Sequence, residues 1–465
     1  MSTLGTKQNP LLVAVVGSGP SGFYAAEALI KSEVSVKVDV LEKLPSPFGL
    51  VRSGVAPDHQ KLKQAIKLYE KIADSSDFNL IANVTIGTDI TVEELCESHH
   101  AVIFTCGAES DRKLGVPGED LKGSYTATEF VGWYNGHPDY RDREFDLSHD
   151  VAVIIGQGNV AADVSRILSK TVDELKHTDI AQHALDILAE SKLKEIHVIG
   201  RRGPAQAKFT PKELREFGEL TDCNPIVNER DMLLGPESKS ELEEKSNVAS
   251  KKIYNLFCEF SKLDIDNSKS KQCFFSFLMG PKELVGDSKL EKVVLEKNSL
   301  SGEPFKQSAR GIGETIELES GILFRSIGYR GIPIKGVPFH ESWGTIPNEN
   351  GRVTDNDNNL VPQFYTAGWI KRGPSGIIGT NRACSVETVS CLLQDLTTLD
   401  NGIKKSGADA IDKILQKKNI HSVNYDDWMN IDAKEIQRGE PKGKPREKYT
   451  YINEMLSVTE QSKIL

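Results

Sequence analysis

Two glycine-rich turns, each between a short apolar run and a helix-forming stretch, constrain the fold of this chain more than any other feature. The first turn, Gly17-Ser-Gly-Pro-Ser-Gly22, follows the run Leu11-Leu-Val-Ala-Val-Val16. The second, Gly156-Gln-Gly-Asn-Val-Ala161, follows Val151-Ala-Val-Ile-Ile155. Continuous apolar runs rich in β-branched residues are typical of buried parallel strands. The pattern therefore predicts an α/β fold with two separate Rossmann-like units, each able to bind a dinucleotide.

The first turn has the residues that a dinucleotide pyrophosphate requires. Gly17 permits the tight turn, Gly19 lets the backbone approach the phosphates, and Gly22 lets the following helix pack on the strand. Glu42 ends the next predicted strand, residues 36–41. Its carboxylate can accept hydrogen bonds from ribose hydroxyls and repels a 2′-phosphate, so this site is predicted to take FAD or NAD and not NADP.

The second turn has the opposite preference. It is the G-x-G-x-x-A variant, and Arg201 and Arg202 stand at the end of the next strand, where an acid would otherwise lie. Two guanidinium groups can bind a 2′-phosphate by bidentate, charge-assisted hydrogen bonds, so this site is predicted to take NADP. Two dinucleotides in one chain suggest that a hydride passes from NADPH to FAD.

The composition argues against several other classes of protein. The 465 residues suit two or three domains, and the net charge of −10 disfavours nucleic acid and anionic membranes. The seven cysteines include no C-x-x-C pair, which argues against a dithiol centre, a zinc ribbon or a ferredoxin-type cluster, and we predict no metal site. We also predict no membrane span and no secretory signal, and hence a cytoplasmic protein, or a mitochondrial matrix protein if a presequence has been removed.

Several longer motifs resemble one family. The stretch Pro47-Phe-Gly-Leu-Val-Arg-Ser-Gly-Val-Ala-Pro-Asp-His59 is similar to the signature of the adrenodoxin reductase family, which includes FAD-dependent bacterial ferredoxin–NADP reductases. Further matching motifs are Phe130-Val-Gly-Trp-Tyr-Asn-Gly136, Gly200-Arg-Arg-Gly-Pro204, Lys212-Glu-Leu-Arg215 and Gly368-Trp-Ile-Lys-Arg-Gly-Pro-Ser-Gly376. The resemblance covers nearly the whole chain. One small departure is Ser21, where the family usually has Ala.

The resemblance implies an NADP domain, residues 109–326, inserted into an FAD domain made of residues 1–108 and 327–465. The family's FAD contacts fall, beside the glycines of the first turn, on Ser21, Glu42, Leu50, Ile86, Trp369, Gly376, Ile377 and Ile378. Its NADP contacts fall on Gln157, Gly158, Asn159, Val160, Arg201, Arg202 and Glu213, and Gly376 also lies near the nicotinamide. The resemblance further implies that His59 and Glu216 are neighbours close to the flavin, where they would manage a proton.

A ferredoxin is the electron acceptor that the resemblance implies. Ferredoxins of this class are acidic, and residues 194–215 carry six basic side chains against two acidic ones in a chain of net charge −10. We therefore predict that the docking surface includes or borders Lys208, Lys212, Arg215, Lys371 and Arg372.

Other functions stay open at this point. An NADPH-dependent diaphorase, a flavin monooxygenase or a glutamate synthase-type electron-entry subunit would use the same two dinucleotides. A redox-sensing NADP-binding module without turnover is a rival of a different class.

Overall fold

The computed structural model describes residues 3–399 and 402–462. The termini of the predicted FAD domain and its residues 400–401 lie outside this range. The strands are β1 Leu11–Val16, β2 Val36–Leu41, β3 Phe78–Ile81, β4 Ala101–Phe104, β5 Ser110–Asp111, β6 Ser124–Thr126, β7 Val151–Ile155, β8 Glu195–Ile199, β9 Cys223–Val227, β10 Lys271–Ser276, β11 Met279–Val285, β12 Lys292–Ser301, β13 Ser308–Glu319, β14 Ile322–Arg325, β15 Tyr329–Arg330, β16 Asn348–Glu349, β17 Arg352–Thr354 and β18 Leu360–Thr366.

The helices lie between these strands and at the carboxyl end. They are α1 Pro20–Ile30, α2 Leu50–Ser53, α3 Gln60–Lys63, α4 Ile66–Ala73, α5 Val92–Ser98, α6 Ala127–Tyr134, α7 Asn159–Ser169, α8 Val172–Leu175, α9 Gln182–Ala189, α10 Pro211–Arg215, α11 Pro236–Glu243, α12 Val248–Phe260, α13 Trp369–Arg372, α14 Ile378–Gln394, α15 Leu396–Leu399, α16 Ala408–Lys417, α17 Tyr425–Gly439 and α18 Ile452–Ser462. Short 3₁₀ helices lie at Pro138–Tyr140, Pro204–Gln206, Glu216–Glu219, Glu229–Met232 and Glu440–Lys442. Throughout the described ranges, the helices are too short or too polar to cross a bilayer.

The first glycine-rich turn belongs to a seven-stranded sheet of order β16-β17-β18-β4-β1-β2-β3. Strand β1 pairs in parallel with β2 and β4, so that Val16 lies beside both Leu41 and Phe104. Strand β18 then adds in parallel to β4. The sheet is therefore completed by residues 348–366, far along the chain from β1 to β4.

The second glycine-rich turn belongs to a six-stranded sheet of order β6-β14-β7-β8-β10-β9. Its neighbouring strands are all parallel, and all come from residues 124–325. The chain thus has two Rossmann-like units, the second inserted in the first, as predicted. The predicted boundaries at 108/109 and 326/327 stay a prediction. Near them, the two connections between the sheets run antiparallel, with Ser110 beside Arg330.

An antiparallel three-stranded sheet, β11-β12-β13, packs on the second Rossmann sheet. Leu284, Val293 and Leu295 contribute its apolar side to a cluster with Ile155 and Leu323. The sequence predicted strand structure only around Val293 to Leu295, because the rest of these long strands alternates charged and small residues.

Two predicted segments differ from the structure. Apolar residues at helical spacing predict one helix over residues 60–73, but the structure has two, α3 and α4. Lys63, the last residue of α3, turns inward to Asp179, with Nζ–Oδ2 2.7 Å. The Ser-, Lys- and Glu-rich composition of residues 236–252 predicts a solvated helix or loop. They form α11 and the start of α12, and Glu241 of α11 is buried, with its carboxylate accepting a hydrogen bond from the Gln206 amide at 2.9 Å.

The carboxyl-terminal segment joins both Rossmann units through buried ion pairs. Arg52, on α2, makes a bidentate pair with Glu435 of α17 at 2.8 and 2.6 Å. Asp179, between α8 and α9, is paired with Lys63 and with Lys448 at 2.7 and 3.0 Å. These pairs connect elements of the first sheet, the second unit and the tail around one buried region.

Candidate active site

The first glycine-rich turn is tightly packed on one side and open on the other. A Cβ on Gly22 would lie 2.0 Å from the Gly17 carbonyl oxygen, whereas a Cβ on Gly19 would meet nothing within 4 Å. Helix α1 begins directly after Gly19, and no side chain caps its first N–H groups. The loop residue Gly49 packs against Gly19 at the same place. Open space beside an uncapped helix N-terminus suits a pyrophosphate.

Glu42 lies at this turn, as predicted for a residue that binds a ribose. The Ser18 N–H and hydroxyl donate to its Oε2 at 3.0 and 2.6 Å, and the Leu44 N–H donates to Oε1 at 3.1 Å. These donors hold the side chain at the end of β2. Each carboxylate oxygen has two lone pairs, so acceptor capacity remains for a ligand.

The residues predicted to hold the rest of an FAD surround the same sheet edge. Ser21 is buried against Gly368, and Ile86 is partly buried in the core below the turn. The Trp369 ring stacks on Tyr329 with centroids 5.5 Å apart. Its buried Nε1 has no hydrogen-bond partner among the residues that the structure describes.

Two of the remaining predicted FAD residues are unusually exposed for apolar side chains. Leu50 is 39% exposed at the start of α2, and Ile377 is 67% exposed just before α14. Gly376 has a φ of +84°, and a Cβ there would collide with Thr380. Ile378 begins the 17-residue helix α14. An orphaned indole N–H, exposed apolar groups and an open turn fit a flavin dinucleotide.

The second glycine-rich turn repeats this geometry. A Cβ on Gly158 would meet nothing within 4 Å, and α7 begins after it with no side-chain cap. The Gln157 amide donates to the Ser276 carbonyl at 3.0 Å, and the Asn159 Oδ1 accepts the Thr210 N–H at 2.7 Å. Val160, in the first turn of α7, is partly buried. The turn is thus rigid and open to a second dinucleotide.

Arg201 and Arg202 follow β8 after Gly200, which packs against Gln157 of this open turn. Arg201 is exposed and Arg202 is partly exposed. Within residues 3–399 and 402–462, neither guanidinium forms an ion pair with a carboxylate. Their charge is therefore available to an anionic ligand such as a 2′-phosphate.

His59 and Glu216 are brought together from opposite units, as predicted. The His59 Nε2 and Glu216 Oε2 atoms are 2.8 Å apart. Glu213 lies beside them, with its Oε2 3.4 Å from His59 Nε2. His59 precedes α3 on the first unit, whereas both glutamates belong to the second unit. The pair therefore connects the two units.

The pKa values of this pair diverge. Burial and the charge of Arg166 would lower the pKa of His59, but the hydrogen bond that His59 donates to Glu216 and the charge of Asp58 outweigh them, and the pKa is raised. Burial would raise the pKa of Glu216, but the hydrogen bond with His59 and the charge of Arg166 outweigh it, and the pKa is lowered. Both shifts favour a protonated histidine beside an ionised carboxylate.

Arg166 of α7 was missed in the sequence. Its side chain is 0% exposed and contacts four carboxylates, those of Asp58, Asp163, Glu213 and Glu216. The sequence indicates only that Arg166 is a charged residue on the apolar side of a predicted helix. Most of the carboxylates that it contacts lie far from it in sequence, so the pattern does not identify them. His59, Glu213 and Glu216 have a spacing that could hold a metal ion. However, the Arg166 guanidinium already lies against both glutamates and supplies positive charge there.

The five predicted docking residues fall into two groups. Lys208, Lys212 and Arg215 are exposed in and just before α10, and Lys212 Nζ lies 3.8 Å from Glu216 Oε1. Lys371 is instead 8% exposed in its side chain, with Nζ 2.6 Å from Glu387. Arg372 donates to Asn381 at 2.7 Å.

Comparisons with known proteins agree with this geometry. The sequence model of the NAD(P)-binding Rossmann-like domain matches residues 15–77. The chain is 40% identical to "NADPH:adrenodoxin oxidoreductase, mitochondrial" of Arabidopsis thaliana, over 96% of this chain and 95% of that protein. It is 42% identical to "NADPH-ferredoxin reductase FprA" of Mycobacterium leprae (strain TN), over 96% and 98%. The solved structure "Mycobacterium tuberculosis FprA in complex with NADPH" superposes with a TM-score of 0.90 at 40% identity, covering 97% of this chain and 100% of that one.

Proposed function

Because the chain belongs to the adrenodoxin reductase family of FAD-dependent NADPH–ferredoxin oxidoreductases, we propose how its own residues carry out that reaction. The protein is an oxidoreductase that takes electrons from NADPH and passes them to a ferredoxin. The observation that carries the residue assignment is the pair of open, uncapped glycine turns on two sheets, only one of which has unpaired arginines beside it.

In our proposal the first turn holds FAD. Gly17, Gly19 and Gly22 with the α1 N-terminus bind the pyrophosphate, and Glu42 accepts hydrogen bonds from a ribose. Ser21, Leu50, Ile86, Trp369 and the backbone of residues 376–378 complete the site. Bound FAD supplies the exchange between a two-electron hydride donor and a one-electron carrier. The chain's part is to fix the two dinucleotides at the same cleft and to exclude water.

The second turn, we propose, holds NADPH. Gln157, Gly158, Asn159 and Val160 bind its pyrophosphate at the α7 N-terminus, and Arg201 and Arg202 bind its 2′-phosphate. Removing both guanidiniums should abolish the preference for the phosphorylated cofactor, because NADH has no group for them to bind.

His59 and Glu216 are proposed to manage a proton at this cleft. The proton is held at His59 Nε2 and shared with Glu216 Oε2, while Arg166 keeps the glutamate ionised. The hydride itself needs no acid or base, so the pair sets the protonation of the cleft and not the transfer distance. Glu213, with a pKa raised by burial and then by Asp163, lies next to the same proton.

Ferredoxin docking is proposed for the exposed basic face formed by Lys208, Lys212 and Arg215. Lys212 Nζ lies 3.8 Å from Glu216 Oε1, so an acidic partner bound to this face would sit near the His59–Glu216 pair. Lys371 and Arg372 border the flavin side but are occupied by Glu387 and Asn381, so we assign them a supporting role.

One anaerobic titration tests the proposal as a whole. The purified protein should be yellow, and NADPH should bleach it more readily than NADH; ferredoxin should then restore the colour, and cytochrome c should be reduced only when ferredoxin is present. The Arg201→Ala/Arg202→Ala double variant should raise KM for NADPH far more than KM for NADH. Bleaching followed by oxygen consumption with an organic substrate would favour a monooxygenase, and a protein that NADPH cannot bleach would favour a redox-sensing module.

For the location we propose the cytoplasm, with the mitochondrial matrix as the alternative, since the similar proteins include mycobacterial and mitochondrial ones. Fractionation of cells that express the tagged, full-length gene product distinguishes these two compartments.

A further inference from the structure

Residues 200–202, the turn that contains Arg201 and Arg202, are hydrogen-bonded to the three-stranded antiparallel sheet and to Leu278, the residue before β11. The Gly200 carbonyl accepts the Met279 N–H at 3.0 Å, and the Arg202 carbonyl accepts the Leu278 N–H at 3.0 Å. The Arg201 carbonyl accepts the side-chain amide of Asn298 at 3.1 Å. All three carbonyls of this turn thus have a partner in residues 278–298. Two of the bonds are backbone bonds, and one depends on the identity of a side chain.

Asn298 reaches the turn because β12 and β13 are out of regular register beside it. Glu296 pairs with Thr315, but Asn298 pairs with Gly311, so β13 contains extra residues there. Gly313, in this bulge, has a φ of +85°, and its N–H donates to the Glu296 carboxylate at 3.0 Å. Bulges change the direction of neighbouring side chains. The side-chain amide of Asn298 therefore points away from the β12–β13 hydrogen bonds and towards Arg201.

The Asn298 backbone is itself anchored to the same place. Its N–H donates to the Leu278 carbonyl at 2.7 Å, and Leu278 has a left-handed φ of +52°. A non-glycine residue in this region is uncommon and is retained where the surrounding structure holds it. Leu278 therefore accepts from Asn298 with its carbonyl and donates to Arg202 with its N–H, so both arginines are connected to one strand position.

We propose that Asn298 is a positioning residue for discrimination between NADPH and NADH. It acts through Arg201, whose backbone it fixes so that both guanidiniums meet a 2′-phosphate together. Bidentate recognition depends on angle as well as distance, so a small rotation of the turn weakens it. NADH lacks this phosphate, so its binding does not depend on the orientation of the two guanidiniums. The inference rests on the proposed role of Arg201 and Arg202.

The test compares Asn298→Leu, which keeps the volume and removes the donor, with Asn298→Gln, which keeps a donor. Ser299→Ala, at the exposed neighbouring position of β12, is the matched control. We expect Asn298→Leu to raise KM for NADPH roughly two- to tenfold, the size of one net hydrogen bond, with kcat and KM for NADH unchanged. Asn298→Gln should recover part of the loss, and Ser299→Ala should behave as the parent protein.

Equilibrium binding of adenosine 2′,5′-bisphosphate and of 5′-AMP gives a readout independent of turnover. Asn298→Leu should weaken only the bisphosphate, and it should have no further effect when Arg201 and Arg202 are both alanine. Equal weakening of both ligands, or no weakening in a folded variant, overturns the inference alone. If the double arginine variant keeps its preference for the bisphosphate, the proposed NADP site itself is wrong. A variant that fails to fold is replaced by Asn298→Ser, judged by the same two ligands.

Discussion

Replacing Arg166 by methionine should destabilise the second Rossmann unit in a pH-dependent way. The guanidinium is 0% exposed and donates to Asp58 at 2.7 and 3.0 Å and to Asp163 at 2.7 Å, with Glu213 at 3.2 Å. Removing one partner of a buried ion pair costs about 3–5 kcal/mol, because the remaining charge stays buried. For a unit of roughly 200 residues that corresponds to a fall in Tm of about 6–20 °C.

The pH dependence follows from the direction of the pKa shifts. In the parent protein burial would raise the pKa of Asp58, but the hydrogen bond and charge of Arg166 lower it. That carboxylate therefore stabilises the fold above its unfolded pKa, and the contribution is lost as the pH falls. Without Arg166 the same carboxyl is buried without its main cation, so its folded pKa rises. The penalty is then largest at neutral pH and is relieved as the carboxyl takes up a proton.

Thermal unfolding of both proteins at pH 7.5 and pH 5.5, followed by circular dichroism, measures this effect. The difference in Tm should shrink at the lower pH. Arg166→Lys keeps the charge but not the forked donor, and should lose less. Adding Asp58→Asn to Arg166→Met should restore part of the stability at neutral pH. A gap in Tm that is the same at both pH values would show that packing, and not buried charge, is what Arg166 contributes.

Three further predictions concern cofactor, proton and partner. Gly19→Val should fold but purify colourless, because the new side chain fills the open space beside the α1 N-terminus. Gly22→Ala should fail to fold, because its Cβ would lie 2.0 Å from the Gly17 carbonyl oxygen. Absorbance at 450 nm and circular dichroism test the two variants. Glu216→Gln should move the histidine-dependent limb of the pH–rate profile to lower pH, since the carboxylate raises the histidine pKa, and Glu219→Gln, on the same 3₁₀ helix but exposed, should not. Lys212→Glu should raise KM for ferredoxin at low salt. The effect should disappear near 0.5 M salt, where charges about 4–5 Å apart are already screened. An effect on KM that does not depend on salt would contradict docking by charge.

The sequence predicted what depends on local pattern. The two strand–turn–helix units were found because Val16, Gly17 and Gly22 are neighbours in the chain, and the same holds for Ile155 and Gly156. The placement of His59 beside Glu216 was available only through the family resemblance, because no local pattern connects residues on different units. Cofactor-contact roles predicted by that resemblance stay predictions.

Interactions between distant residues were not predictable from pattern. Arg166 was within a predicted helix, yet nothing in its neighbours indicates that Asp58, on the other unit, neutralises it. Lys371 was predicted to form or border the docking surface, which stays a prediction, but its ion pair with Glu387, one helix away, was not predictable. Charge in a sequence gives the sign of a residue and not its partner, and long-range pairing of buried charges is decided by the tertiary fold.

The order of strands in the first sheet has a consequence for biosynthesis. Its centre is β1 and β4, but β18 is translated only after the complete second sheet. During translation the inserted unit can therefore fold from contiguous residues while the amino-terminal half still lacks a neighbour for β4. A released chain that ends after about residue 345 should contain a protease-resistant core from the inserted unit and an amino-terminal segment that is still cut. The proposed flavin site, which draws residues from both sides of the insertion, would then be the last part of the molecule to mature.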